Sequence, residues 1–163
     1  MVWQGWGRLG VPGTATLAMA LVCDMSSVAR EAMLSIGCIQ AQKCHTGHCP
    51  AGIATQNKWL MRGLDPTLKA ARVANYVATL RKELLRLART CGQPHPALVS
   101  LDRLEILDGN YQGRCAAEVF HYHPSWGRPA LADQEIIRRL MDTPPGERNS
   151  SNTEMPAKTL CLS

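Results

Sequence analysis

Aromatic residues are scarce in this 163-residue chain, with one Phe, three Tyr and four Trp. That scarcity argues against base-stacking nucleic-acid modules, which need aromatic platforms. No apolar run approaches the roughly 18 residues of a membrane-spanning helix. Thr14 to Val22 is apolar but short, and helical in pattern. The N-terminal residues lack the basic stretch and apolar core of a secretory signal. Also missing are a Gly-rich dinucleotide fingerprint and a Ser/His/Asp set spaced as a triad, so no catalytic acid, base or nucleophile can be picked out. A reducing cytoplasm is therefore the expected setting, where close cysteines mean metal rather than disulfides.

Cysteine is not scarce. Seven are present, and three of them form Cys38-x5-Cys44-x4-Cys49 inside a Gly-rich, polar run from Gly37 to Gly52. Three thiolates this close can converge on one metal centre, with Pro50 fixing the exit from the loop. Thiolate is the ligand iron–sulfur clusters require, and zinc accepts it too. Zinc loops usually present C-x2-C pairs, and none occurs here. His45 or His48 could complete a Cys3His zinc site, so spacing leaves zinc and iron–sulfur both open. The plainer reading of the two histidines is that backbone groups satisfy them. Cys23, Cys91, Cys115 and Cys161 have no partner at ligand spacing and read as buried or free thiols.

The length suits one domain. The net charge is +5, and much of the positive charge lies on one expected helix, at Lys69, Arg72, Arg81, Lys82, Arg86 and Arg89. A solvated helix face accounts for it, and neither nucleic acid nor membrane is an expected partner.

The run Gly-Cys-Ile-Gln-Ala-Gln-Lys-Cys-His-Thr-Gly-His-Cys-Pro-Ala-Gly-Ile-Ala-Thr-Gln-Asn, residues 37–57, closely resembles glutamate synthase. It is similar to the segment after the FMN-binding barrel of the large subunit, and more so to the stand-alone FMN-binding glutamate synthase family of prokaryotes. The likeness continues through residues 57–69 and 74–84, fades near Leu107, and reaches back more weakly to about Gly7. Met1 to Trp6 does not look like the family.

The resemblance implies a metal role for Cys38, Cys44 and Cys49, holding a [3Fe–4S] cluster beside the flavin. It implies FMN phosphate near Gly7-Arg8 and Ala29-Arg30, the loops corresponding to those after barrel strands seven and eight. It implies reductive transfer of ammonia nitrogen to 2-oxoglutarate, giving glutamate. Electrons would come from a partner subunit or ferredoxin, and ammonia from a glutaminase domain or subunit. The rival reading is a small zinc- or cluster-binding structural module without catalysis.

A (β/α)8 barrel takes about 250 residues. The expected fold is therefore α/β, the C-terminal end of an incomplete barrel followed by the cysteine loop and a mainly helical extension. The expected division is 1–37 for the last βα units of the barrel, 38–57 for the cysteine loop, 58–142 for the helical extension and 143–163 for a disordered tail.

Local signals fill in this frame. Thr14 to Leu21 reads as a helix and Cys23 to Ser27 as a short buried strand. Ser27 reads as the N-cap of a helix over Val28 to Ile36 that Gly37 ends. Asp65 and Pro66 open the clearest element, a helix over 66–91. Val73, Val77, Leu80, Leu84, Leu87 and Cys91 lie on one face of it and are expected to be buried. Residues 100–107 read as a short helix, 108–128 as irregular, and 130–141 as a helix.

Overall fold

Parallel strands cannot be joined by a tight turn, and the first structural unit obeys that constraint. Strand β1 (Gln4–Trp6) pairs in parallel with β2 (Met25–Ser27), with Gln4 opposite Met25 and Trp6 opposite Ser27. Helix α1 (Pro12–Leu21) makes the crossover. Pro12 occupies its first turn, where the missing N–H costs nothing. The computed structural model describes residues 4–107, 109–123 and 126–143. Residues 4–6 are thus part of a strand, although their sequence suggested nothing of the family.

Helix α2 (Arg30–Ser35) is shorter than expected, and Ser27 does not cap it. The Ser27 hydroxyl instead accepts from the Gln4 side chain at 2.5 Å, across the strand pair. Ala29 stands at the N-cap and offers no side-chain oxygen. Helix α3 (Pro66–Thr90) follows its sequence signals closely. The Asp65 carboxylate accepts from the Thr67 N–H at 3.0 Å, and Pro66 begins the helix. Helix α3 packs against α1 and α2. The Tyr76 hydroxyl also donates to the Gly10 carbonyl at 2.9 Å, tying α3 to the loop after β1.

The apolar face of α3 is only partly covered. Val73, Leu80, Leu84 and Leu87 are half-buried and Val77 is 55% exposed. Of all its residues only Ala88 is buried. The expectation of a buried stripe is corrected on this point. The elements that α3 meets are short and cover mainly its C-terminal half. The core consists of Ala20, Ala88, Val99, Leu101 and Ala116, with Leu17, Leu21, Leu104, Ile106 and Tyr122 packed around it. Alanines at the contacts let the helices approach closely, so the core holds little apolar volume.

Residues 100–107 are not a helix. A short 3-10 turn (Leu101–Arg103) leads into β3 (Glu105–Leu107), which pairs antiparallel with β4 (Gly113–Cys115). The reason lies in the alternation: Leu104 and Ile106 are half-buried while Glu105 and Leu107 are exposed. That period of two is the strand pattern. The segment expected to be irregular therefore holds β4 and a single helical turn, α4 (Ala116–Val119). Residues Pro129–Ser163 form a separate unit. Its described part is α5 (Leu131–Asp142), close to expectation. The expected disordered tail lies outside the described residues beyond Thr143. The chain is mixed α/β, with five α-helices and two two-stranded sheets among the described residues.

Ala88 is fully buried. Ala88→Leu should therefore cost about 1–3 kcal/mol through overpacking, while Val77→Ala should stay within about 0.5 kcal/mol as an exposed change. Urea denaturation of the two variants checks this, and equal effects would show that α3 is covered differently.

Candidate metal centre

The cysteine loop begins at a helix end with a defined geometry. Gly37 has φ +101 and follows the α2 C-cap, Ile36. Its N–H donates to the Leu34 carbonyl at 2.9 Å, and the Cys38 N–H donates to Met33 at 3.0 Å. These two bonds form a Schellman cap, which needs a left-handed residue at the position Gly37 fills. Cys38 is thereby fixed just past the helix. Its sulfur accepts from the Gln40 N–H at 3.4 Å.

Gln40 and Gln42 both have φ 55. Left-handed backbone at a non-glycine residue costs about 1–3 kcal/mol and concentrates at functional loops. These two residues turn the chain from Cys38 towards Cys44. Cys44 is exposed and opens a 3-10 turn, Cys44–Thr46. The Thr46 hydroxyl closes that turn onto the Lys43 carbonyl at 2.8 Å, and Thr55 reaches back to the Gly47 carbonyl at 2.5 Å. The His48 ring Nδ1 is 2.8 Å from the Thr46 carbonyl, so the backbone engages this histidine, as its plainer reading expected.

Cys49 is the buried member of the set. The backbone N–H groups of Ala54 and Ile53 lead in holding its thiol below the ordinary range, helped by Ala51 and Gly52 and opposed by burial. A ring of N–H dipoles around one sulfur is an anion nest. Gly52 lies within this stretch with φ +74, and a Cβ there would lie 2.5 Å from the Leu60 carbonyl oxygen. Sequence reading missed this cradle. Its signal was the glycine three residues after a cysteine, in Cys49-Pro-Ala-Gly52.

The three cysteines share one loop, but no three His, Cys, Asp or Glu side chains among the described residues are grouped to hold a single metal ion. In a polynuclear cluster each thiolate binds a different iron, so the sulfurs need not meet at one point. Three cysteines and a preformed thiolate nest fit such a cluster.

The other expected contacts lie on neighbouring loops. Gly7 and Arg8 are exposed directly after β1. Ala29 and Arg30 follow β2, as N-cap and first residue of α2. Because β1 and β2 are parallel, both loops leave the carboxyl ends of adjacent strands, where α/β sheets bind ligands.

Residues 4–94 match the family model described as the conserved region in glutamate synthase, which covers more than half of the chain. The chain belongs to the glutamate synthase family. It is 43% identical over 90 residues to the glutamate synthase large subunit-like protein YerD of Bacillus subtilis, covering 55% of this chain and 17% of that protein. It is 36% identical over 93 residues to the archaeal glutamate synthase (NADPH) of Methanocaldococcus jannaschii, covering 57% of this chain and 17% of that one. A glutamate synthase large subunit-like protein of Rhizobium meliloti is 45% identical over 51 residues, which is 31% of this chain and 12% of that protein. The chain thus spans about a sixth of the first two relatives. No solved structure matches it significantly. The match starts before Gly7 and stops short of Leu107, so the family likeness lies further towards the N-terminus than the sequence alone suggested.

The lowered Cys49 value has a consequence for stability. A thiol whose folded value is depressed binds fewer protons folded than unfolded. Its contribution is full above the unfolded value, near ~8.5, and disappears as pH falls through the folded value. The metal-free chain should therefore gain stability relative to Cys49→Ala as pH rises towards that unfolded value. Urea melts at a series of pH values measure this, and a pH-independent difference would show that the nest is absent.

Proposed function

We propose that this chain is a segment of a glutamate synthase-type flavin and iron–sulfur oxidoreductase. In this reading Cys38, Cys44 and Cys49 hold a [3Fe–4S] cluster, and Gly7-Arg8 and Ala29-Arg30 flank the phosphate of FMN. The observation that carries it is the family match over residues 4–94, which contains the whole cysteine loop and both strand-end loops. The complete enzyme would make glutamate from 2-oxoglutarate and ammonia nitrogen in the cytoplasm. A donor subunit or ferredoxin would supply electrons, and a glutaminase domain or subunit could supply the ammonia. No helix among the described residues is long and apolar enough to cross a membrane.

Residues 1–37 would be the last βα part of a barrel, 38–57 the cluster loop, 58–142 the extension that braces it and 143–163 a tail. The parallel pairing of β1 and β2 across α1 supports the barrel reading.

When bound, the cluster and flavin supply the electron-transfer and hydride chemistry. The chain's own residues prepare for that chemistry. The helix end at Gly37 fixes where the Cys38 sulfur starts. The N–H nest keeps Cys49 towards its thiolate form, the form that ligates metal. The exposed Cys44, on its short turn, is the ligand nearest solvent. The alternative zinc module would need its donors on one ion, and among the described residues no three are so grouped, while His48 is engaged by backbone.

The chain reconstituted anaerobically with iron and sulfide should be brown, with about three irons, one for each thiolate. Cys44→Ser should bleach it and Cys161→Ser should not. A colourless protein holding one zinc would replace this reading with the zinc module.

The isolated chain should bind FMN weakly or not at all, because flavin contacts in a barrel come from many strand ends. It should show no ammonia- and 2-oxoglutarate-dependent oxidation of a reduced donor. Stoichiometric binding in a fluorescence titration would refute the barrel-remnant reading.

A further inference from the structure

Gly37 does more than end α2, because the space its missing side chain leaves is taken by a cation. A Cβ at residue 37 would lie 2.7 Å from the Lys69 Nζ and 3.6 Å from an Arg72 terminal nitrogen. Both cations come from the first turns of α3, where three residues' separation puts them on one face. They are brought to the residue just before Cys38.

Neither cation makes an ion pair among the described residues. The flanking acids are turned to other tasks. The Asp65 carboxylate caps α3 through Thr67. Glu31, on α2, lies against Gly10 and Tyr76, and its charge helps to raise the Tyr76 value. From Ala32 to Leu64 the chain holds no Asp or Glu, but it does hold Lys43, Lys58 and Arg62. The loop itself therefore carries only positive side-chain charge, and the nearest carboxylates, Asp65 and Glu31, are not ion-paired with either cation among the described residues.

We infer that Lys69, backed by Arg72, is a positioning residue that places positive charge against the Cys38 end of the thiolate centre and raises its reduction potential. The inference rests on the cluster reading above. Net charge around a cluster is one of the levers that set its potential. Adding an electron adds negative charge, and a nearby ammonium stabilises that state by direct attraction. Gly37 is what lets the ammonium come this close.

A purely structural role is also conceivable, since a cation near a helix C-terminus stabilises its last turn. The test therefore reads potential and iron content separately. The full chain is reconstituted with iron and sulfide, and its midpoint is followed by an EPR-monitored redox titration. Lys69→Gln should keep its iron and shift the midpoint downwards, so that at a fixed poise the reduced-to-oxidised ratio falls by roughly three- to tenfold. The double variant Lys69→Gln/Arg72→Gln should shift further, and Lys69→Arg should restore the midpoint by restoring the charge. Lys82→Gln should change nothing, because thirteen residues of helix put it about 20 Å away, beyond the screening length of about 10 Å.

Iron retained in Lys69→Gln with an unchanged midpoint overturns the inference and leaves the cluster reading standing. If Lys69→Gln loses iron, Arg72→Gln decides. Iron kept with a lowered midpoint in Arg72→Gln supports the charge role, and an unchanged midpoint, or loss of iron in that variant too, overturns the inference. An unsubstituted chain that takes up no iron overturns the cluster reading and this inference with it.

Discussion

Two hydrogen bonds at the end of a six-residue helix determine where the cysteine loop begins. They run from Gly37 to Leu34 and from Cys38 to Met33. A helix as short as α2 is not stable alone in water, so its end is defined only while something holds α2 in place. That support is α3. The dependence runs from Asp65 and Pro66, which start α3, through the packing of α3 on α2, to Gly37 and then Cys38. The Tyr76–Gly10 bond makes the same helix a brace for the loop after β1. One helix outside the cysteine motif thus positions both the first cysteine and one strand-end loop of the proposed flavin site.

The same helix carries more apolar surface than the described chain covers. Leu68 and Val77 are more than half exposed, and so is Trp59 just before α3. Among the described residues no large side chain is fully buried. Burial contributes about 25 cal/mol per Å², so a core built on alanines and half-covered leucines leaves much of the available stabilisation unused. The proposal of a longer enzyme accounts for this economically. The chain spans 17% of the first two relatives it matches.

What could be read in the sequence divides along a physical line. Signals carried by adjacent residues translated well: Asp65-Pro66 marked the start of α3 and Gly37 the end of α2. Signals that needed a partner did not. Ser27 has the right chemistry for a cap, but its hydroxyl bonds to Gln4, which only the parallel pairing brings near. Residues 100–107 read as a short helix, while the alternation from Leu104 to Leu107 answers to the pairing with β4. The α3 periodicity was a true record of its amphipathic face, but a periodicity cannot report whether a neighbour is present to cover it. In the candidate site the three cysteines were picked out by spacing and resemblance. The Cys49 nest was not, because it is made of backbone N–H groups, which no side-chain pattern records.

In the proposed centre, the loop would meet negative sulfur by two different means at its two ends. At Cys49 the support comes from N–H dipoles within five residues of the sulfur. Dipoles act over short range, come with the backbone fold, and are little affected by salt. Beside Gly37, the residue before Cys38, the positive charge is carried by whole cations from another helix. Charges act over longer range and are screened by ions within about 10 Å at moderate ionic strength. The two devices therefore suit different tasks. A dipole nest can keep one thiol ready to bind metal even when the centre is empty. A full charge matters most when the charge of the whole centre changes, which is the step an electron-transfer site must control. In the proposed centre, a nest at the buried cysteine and cations at the half-buried one would separate assembly from the tuning of redox behaviour.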